Sequence, residues 1–209
     1  MFTLSLALVL ATSALSVSAN CMHGTTFFPR EEGEVKVGKF GYSGLQGPLN
    51  WGRSRSRQLC LPQQQCPRSP RRRWRLPQSK RPNLRTWGTT LEVVVKGKTT
   101  FEGKEFELQQ FHHHTPSEHR INDEYFPLEI HMVHQAADES IAVIAVPFQL
   151  TEDGSTTEIL TSVIENLDKI KEPGTRTNTG KLDFAPLIDA IQKGPLFQYT
   201  GSLTTPPCA

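Results

Sequence analysis

The chain has 209 residues, 36% of them hydrophobic and 21% charged, with 23 Lys+Arg against 21 Asp+Glu for a formal net charge of +2. That length suits one domain, and this composition excludes a wholly disordered chain. No apolar run approaches the roughly 20 residues that a membrane-spanning helix needs. The mild net charge conceals an asymmetry. Residues 52–87 hold ten Arg and Lys80 without one Asp or Glu, which leaves 12 basic against 21 acidic residues elsewhere.

Residues 1–19 carry the apolar run Leu4-Ser5-Leu6-Ala7-Leu8-Val9-Leu10 and end in Val17-Ser18-Ala19. An apolar stretch closed by small residues reads as a secretory signal cleaved after Ala19, although it lacks the usual basic start. The expected location is therefore secreted and extracellular, with residues 20–209 as the mature domain. Cys21, Cys60, Cys66 and Cys208 remain, and in a secreted chain they are expected to form disulfides in one of three pairings. The five-residue gap between Cys60 and Cys66 is wider than zinc-ligand spacing. No Asn-x-Ser/Thr glycosylation acceptor occurs.

Residues 20–51, rich in Gly and aromatics, read as irregular structure with short strands. From 88 to 150 the pattern is that of strands. Leu91, Val93 and Val95 share one side, and Phe101, Phe106 and Leu108 belong to a hairpin closed near Gly97 and Gly103. Segments 109–114, 128–134 and 141–148 follow, bounded by turn-forming residues. In 155–171 the period changes: Ile159, Leu160, Val163, Ile164 and Leu167 recur at helical spacing, with Ser155 or Thr156 as cap and Pro173-Gly174 as stop. A shorter helix is expected over 185–192 and a strand over Leu196–Tyr199. The fold class is mostly β: a central, antiparallel-rich, twisted sheet with a few surface helices.

Four of the seven histidines crowd into 112–119. Successive side chains of a strand point to opposite faces, so Gln110, His112 and His114 share one face while Phe111 and His113 share the other. The same alternation sets Glu129, His131 and Val133 on one face, with Leu128, Ile130 and Met132 behind. If the two strands are antiparallel neighbours joined by the turn around 122–127, three imidazoles converge. Three neutral imidazoles suit Zn2+ and leave its fourth position for water. Gln110 and Glu129 each stand two residues before a ligand on the same face, where they can fix the ligand's tautomer. A helical reading of His131 and His134 fails on period. His113, His119, His134 and His23 read as ordinary surface or cross-strand polar residues.

Gln110-Phe111-His112-His113-His114, Ser117-Glu118-His119, Leu128-Glu129-Ile130-His131-Met132-Val133-His134 and the run from Gly201 to Pro207 resemble the α-class carbonic anhydrases in secreted fungal or bacterial form. Phe40-Gly41-Tyr42-Ser43-Gly44 with Asn50-Trp51 is similar to the family's N-terminal signature. The resemblance covers 40–51 and 88–209 and implies reversible hydration of CO2 to bicarbonate and a proton by attack of zinc-bound hydroxide. It implies that His112, His114 and His131 hold the zinc, with Gln110 and Glu129 behind them. Thr204 would orient the attacking oxygen and pass its own proton to Glu118. Thr205 would line the site, Val133, Val143 and Leu203 would form with Thr204 and Thr205 the surface that CO2 meets, and Tyr42 would stand near the water network. The implied partners are CO2 and bicarbonate, with no nucleic acid and no membrane span.

The sequence also departs from the family. Between Trp51 and Gly88, where the family carries an Asn-Gln-Ser-Pro-Ile type segment, stands the basic block. It reads as a disordered or frame-shifted segment, with a polyanion-binding insert as the alternative. Trp74 and Trp87 are too few for a nucleic-acid stacking platform. The text ends at Cys208-Ala209, where the family continues with further strands, so the domain is expected to be incomplete at its C-terminus. No His stands at Thr89, a position loosely matching a proton-shuttling His of some members, and His113 replaces a usual aromatic. By family analogy Cys208 would pair with Cys60 or Cys66. The rival to the enzyme is a catalytically inactive carbonic-anhydrase-like module that binds zinc or a partner.

Overall fold

The structure is a computed structural model that describes residues 82–204 throughout and the backbone alone of residues 2–3, 8–13 and 73–75. The four cysteines, His23, Tyr42, Thr205 and the region 20–51 lie outside the described residues. No helix among the described residues is long and apolar enough to cross a membrane.

The chain begins with β1 (Phe2–Thr3), β2 (Leu8–Ser13), β3 (Arg73–Arg75) and β4 (Asn83–Thr86). Two long strands follow, β5 (Leu91–Phe101) and β6 (Lys104–His114), then the small hairpin β7 (Arg120–Ile121) and β8 (Glu124–Tyr125). β9 (Leu128–Gln135) and β10 (Ile141–Leu150) complete the centre, and β11 (Arg176–Asn178) and β12 (Leu196–Tyr199) come later. The large sheet runs β11-β4-β5-β6-β9-β10-β2-β12, with β1 also on β10 and β3 also on β5. Its pairings are antiparallel except that β12 lies parallel to β2. Together with few helices, this is the mostly β class that the alternating segments foretold.

Two local expectations are corrected. The β5–β6 hairpin closes at Glu102-Gly103, both at positive φ (48° and 83°), whereas Gly97 lies inside β5. There the register slips between Val94 and Gly97, so Gly97 belongs to a bulge and not to a turn. The single long helix is broken as well. α1 spans Glu158–Ile164 and a separate 3-10 turn spans Leu167–Ile170. Asn166 stands at the break: its side-chain amide donates to the Ser162 carbonyl at 2.9 Å, and Lys169 Nζ donates to its oxygen at 2.8 Å. A buried Asn making its own backbone bonds competes with the helical ladder. The last helix, α2 (Ala185–Lys193), runs close to its expected span.

Two other segments also pair into the sheet. Leu8–Ser13, inside the leader-like run, pairs with β10 over Ile141 to Ala145 and with β12. A short apolar run fits a buried strand as readily as a leader, so composition does not separate the two. Asn83–Thr86, the end of the basic block read as disordered or frame-shifted, is a sheet strand between β5 and β11. Within it Arg85 Nη1 approaches buried Glu92 at 3.9 Å.

Alternation along β6 and β9 divides the molecule in two. Phe111, Ile130, Met132, Ile144 and Phe148 face a continuous apolar core roofed by Ile159, Leu160 and Val163 of α1 and Leu187 and Ile191 of α2. Gln110, His112, His114, Glu129, His131 and Val133 face the other way, yet they are as buried as the core. Polar groups also sit on the core side, His134 among them. His134 donates from Nδ1 to the Met132 carbonyl at 2.9 Å, and its Nε2 lies 3.1 Å from the Thr99 hydroxyl.

Burial holds the His134 pKa at about 4, below the usual 6.5. The unfolded chain takes up this proton near pH 6.5 and the native chain refuses it until about pH 4. Stability carried by neutral His134 is therefore complete above pH 6.5 and declines as pH falls through this window. The decline reaches about 3 kcal/mol at its foot. Urea denaturation between pH 7 and 4 should show it, and His134→Gln should make the profile shallower. An unchanged profile in the variant would assign the acid sensitivity elsewhere.

Candidate metal centre

β6 and β9 are hydrogen-bonded neighbours in a register that sets His112 directly opposite His131 and His114 opposite Glu129. On its other side β9 pairs with β10, setting Val143 opposite Val133 and Ala145 opposite His131. Paired residues in an antiparallel ladder share a face. This register therefore brings the rings of His112, His114 and His131 together, with centroids 4.6 to 5.2 Å apart. One nitrogen from each ring lies within 4.8 Å of the other two, a spacing that can hold a metal ion, and all three side chains are buried.

Two of the rings are also oriented from behind. Gln110 Oε1 accepts from His112 Nδ1 at 2.9 Å, and Glu129 Oε1 accepts from His131 Nε2 at 2.7 Å. The opposite nitrogens, His112 Nε2 and His131 Nδ1, are left as ligand atoms. Behind His114 stands Glu118, whose Oε1 is 3.6 Å from His114 Nδ1 and whose Oε2 is 3.9 Å from His131 Nδ1. The loop carrying Glu118 is pinned by Ser117. The Ser117 hydroxyl accepts from Phe126 N at 2.9 Å and donates to the His119 carbonyl at 2.6 Å.

The electrostatics divide the three rings. Burial, and then the neighbouring His114 and His131, hold His112 well below the ordinary imidazole range. Burial and His131 push His114 down to about 2. His131 is pulled down by burial but raised further by the Glu129 charge and hydrogen bond, so its net shift is upward. Burial would lift Glu129, but His131 and His119 hold it well below the usual carboxylate range. Neutral imidazoles beside one carboxylate-supported ring are a donor set that accepts a divalent borderline metal without further rearrangement of protons on His112 and His114.

The apolar residues gather next to the metal face: Val133 is buried, and Val143, Leu203 and Ile141 pack on it. Thr204 is half-buried near the end of the described chain, and Thr205 lies outside it. Of the histidines read as surface or cross-strand polar groups, His113, His119 and His134 are not at the surface: all three are buried. His113 donates from Nδ1 to the Leu91 carbonyl at 3.2 Å, and burial brings its pKa down to about 4.

His119 is the participant that the sequence reading missed. Its backbone N–H donates to Glu129 Oε2 at 2.9 Å, its Nδ1 bonds Glu129 Oε1, and its Nε2 lies 2.7 Å from the Tyr199 hydroxyl. A chain Tyr199–His119–Glu129–His131 thus ties β12 to the metal face. His119, Glu129 and His131 also lie close enough together to hold a metal. The Glu129 oxygens, however, are already committed to three donors, so this group is a hydrogen-bonded brace. Periodicity gave no signal for His119, which sits outside any strand.

Residues 78–209 match the family described as eukaryotic-type carbonic anhydrase. Alpha carbonic anhydrase 7 of Arabidopsis thaliana is 38% identical over 112 residues, 54% of this chain and 39% of that protein. A carbonic anhydrase of Klebsiella pneumoniae is 34% identical over 126 residues, 58% of this chain and 49% of the relative. The chain therefore spans less than half the length of these curated relatives. Among solved structures, the fungal alpha carbonic anhydrase from Aspergillus oryzae superposes with a TM-score of 0.74 at 40% identity. That match covers 82% of this chain and 78% of the fungal one.

Proposed function

Because the chain belongs to the eukaryotic-type carbonic anhydrase family, we propose that it hydrates CO2 reversibly to bicarbonate and a proton, with zinc held by His112, His114 and His131. The observation that carries the reading is the convergence of three buried imidazole nitrogens on the face of β6 and β9. When bound, zinc acts as a Lewis acid that brings deprotonation of a water into the neutral range, the behaviour for which carbonic anhydrases are the type case.

The chain's own residues supply positioning. Gln110 and Glu129 hold two of the rings in the tautomer that leaves a lone pair facing inward. Val133, Val143 and Leu203 offer an apolar surface on which CO2, a nonpolar molecule, displaces water. Thr204 is assigned to orient the attacking oxygen, with Glu118 accepting the Thr204 hydroxyl proton. A hydroxyl held between a carboxylate and the attacking group can point in only one direction. The leader-like residues 1–19 support secretion as part of the same proposal.

The test is stopped-flow CO2 hydration by the purified chain, with zinc measured on the same sample. One zinc per chain with turnover supports the reading, and absence of both overturns it. Zinc without turnover favours the inactive binding module. Gln110→Ala should lower zinc affinity about 10- to 100-fold while the fold survives. This is read by competition with a chromogenic chelator, and unchanged affinity would remove Gln110 from the support of His112.

A further inference from the structure

β12 ends at Tyr199, and the residues that follow, 200–204, form no regular structure. Yet this segment carries Leu203, which packs on Val133 beside the metal face, and Thr204, the residue assigned to orient the attacking oxygen. A stretch with no ladder of its own holds a side chain in place only if its ends are fixed. Leu203 is one fixed end. The other is Tyr199, whose hydroxyl lies 2.7 Å from His119 Nε2.

The Tyr199 ring is set by contacts with both His119 and Gly201. His119 Nδ1 bonds Glu129 Oε1, and a carboxylate can only accept, so Nδ1 carries a proton. In the neutral ring Nε2 is then an acceptor, and the Tyr199 O–H donates to it. The two rings also meet edge to face, with centroids 5.8 Å apart and planes at 68°. Gly201 closes on the Tyr199 ring from the segment itself. A Cβ at this position would lie 2.8 Å from Tyr199 Cε2 and 3.3 Å from Cδ2. Side chains do not approach so closely, so the chain passes over the ring here because residue 201 is glycine. The course of the segment beyond Gly201 is thereby tied to the orientation of one ring.

We infer that Tyr199 is a positioning residue for hydration: its bond to His119 ties the segment carrying Leu203 and Thr204 to the same Glu129 carboxylate that holds His131, so that Thr204 and the metal face keep one spacing. The inference rests on the proposed CO2 hydration and adds a route by which a residue outside the ligand set governs turnover. Removing the Tyr199 hydroxyl leaves Glu129 its donors, the His119 backbone, the His119 ring and His131, so the zinc ligands keep their support. What is lost is the anchor of the Thr204 segment. A displacement of about 1 Å at a reacting group is enough for a loss of about 100-fold.

The experiment is a double-mutant cycle on the full zinc-loaded chain, with Tyr199→Phe and Thr204→Ala made singly and together. The expected result for Tyr199→Phe is a loss of about 10- to 100-fold in kcat, with zinc affinity unchanged. In the Thr204→Ala background the same substitution should cost less than about twofold, because the group it positions is gone. A purely structural role costs the same in both backgrounds, so additive losses overturn the inference. Equal falls in zinc affinity and turnover overturn it too, since they place the effect at His131. Gly201→Ala, which presses on the ring from the segment side, should reproduce the kcat loss and be equally silent in Thr204→Ala. If Tyr199→Phe does not fold, that variant decides. A further readout needs neither metal nor turnover: methyl NMR of the metal-free chain should show the Leu203–Val133 contact in the parent and its loss in Tyr199→Phe. Persistence of the contact overturns the inference. A parent that holds no zinc and hydrates no CO2 sinks the hydration reading instead, and the methyl contact then decides the anchoring by itself.

Discussion

Replacing His131 with alanine should reduce zinc binding by at least two orders of magnitude and remove CO2 hydration with it. Tetrahedral structural zinc sites in peptides are worth roughly 10–16 kcal/mol, so one ligand of four carries about 3–4 kcal/mol, or about 10²- to 10³-fold. His131 is the ligand with the most at stake. It lies opposite His112 in the ladder and is the ring held by a buried carboxylate, at 2.7 Å from Glu129 Oε1. Its loss removes a ligand atom and strips Glu129 of one donor in the same stroke. Zinc affinity and hydration should be measured side by side. A variant that keeps zinc at the parent's affinity would show that His131 is not a ligand.

Substitutions at Glu129 should be the most damaging to the fold. The residue is fully buried, and its two oxygens accept from the His119 backbone, the His119 ring and His131. Glu129→Ala leaves these donors facing a cavity. Breaking a buried charged network from one side costs about 3–5 kcal/mol. Glu129→Gln keeps the shape and one acceptor oxygen, but it turns an N–H2 group toward donors. It should cost about 1–3 kcal/mol in stability and a further 10- to 100-fold in zinc affinity. Denaturation of metal-free protein isolates the first effect, and zinc competition isolates the second. If Glu129→Ala unfolds at the parent's urea midpoint, the brace from Tyr199 through His119 to His131 carries no stability.

Both predictions rest on an arrangement that was only half legible in the chain. The period of two in 109–114 and 128–134 separates His112, His114 and Gln110 from Phe111, and His131 and Glu129 from Met132, with no knowledge of the fold. The family resemblance rests on those same residues. The helical period in 155–171 locates α1, but the break at Asn166 depends on a side-chain amide reaching the Ser162 carbonyl. Hydrophobic spacing does not register such a bond. Gly97 and Gly103 look alike as turn candidates. Pairing with β6 makes one a bulge and the other the hairpin turn.

What the sequence by itself determined is therefore the set of faces: which side chains share a side of a strand and which residue types could serve a metal. A strand's alternation is local geometry, fixed by the backbone of each residue. The tertiary structure alone decided which faces meet. The β6–β9 register sets His112 against His131, and packing brings Tyr199 within 2.7 Å of a His119 ring 80 residues earlier in the chain. Only the structure converts His113 from a spare polar residue into a buried side chain bonded to the Leu91 carbonyl. Burial and partnership are properties of the space between elements, and no periodicity within one element contains them.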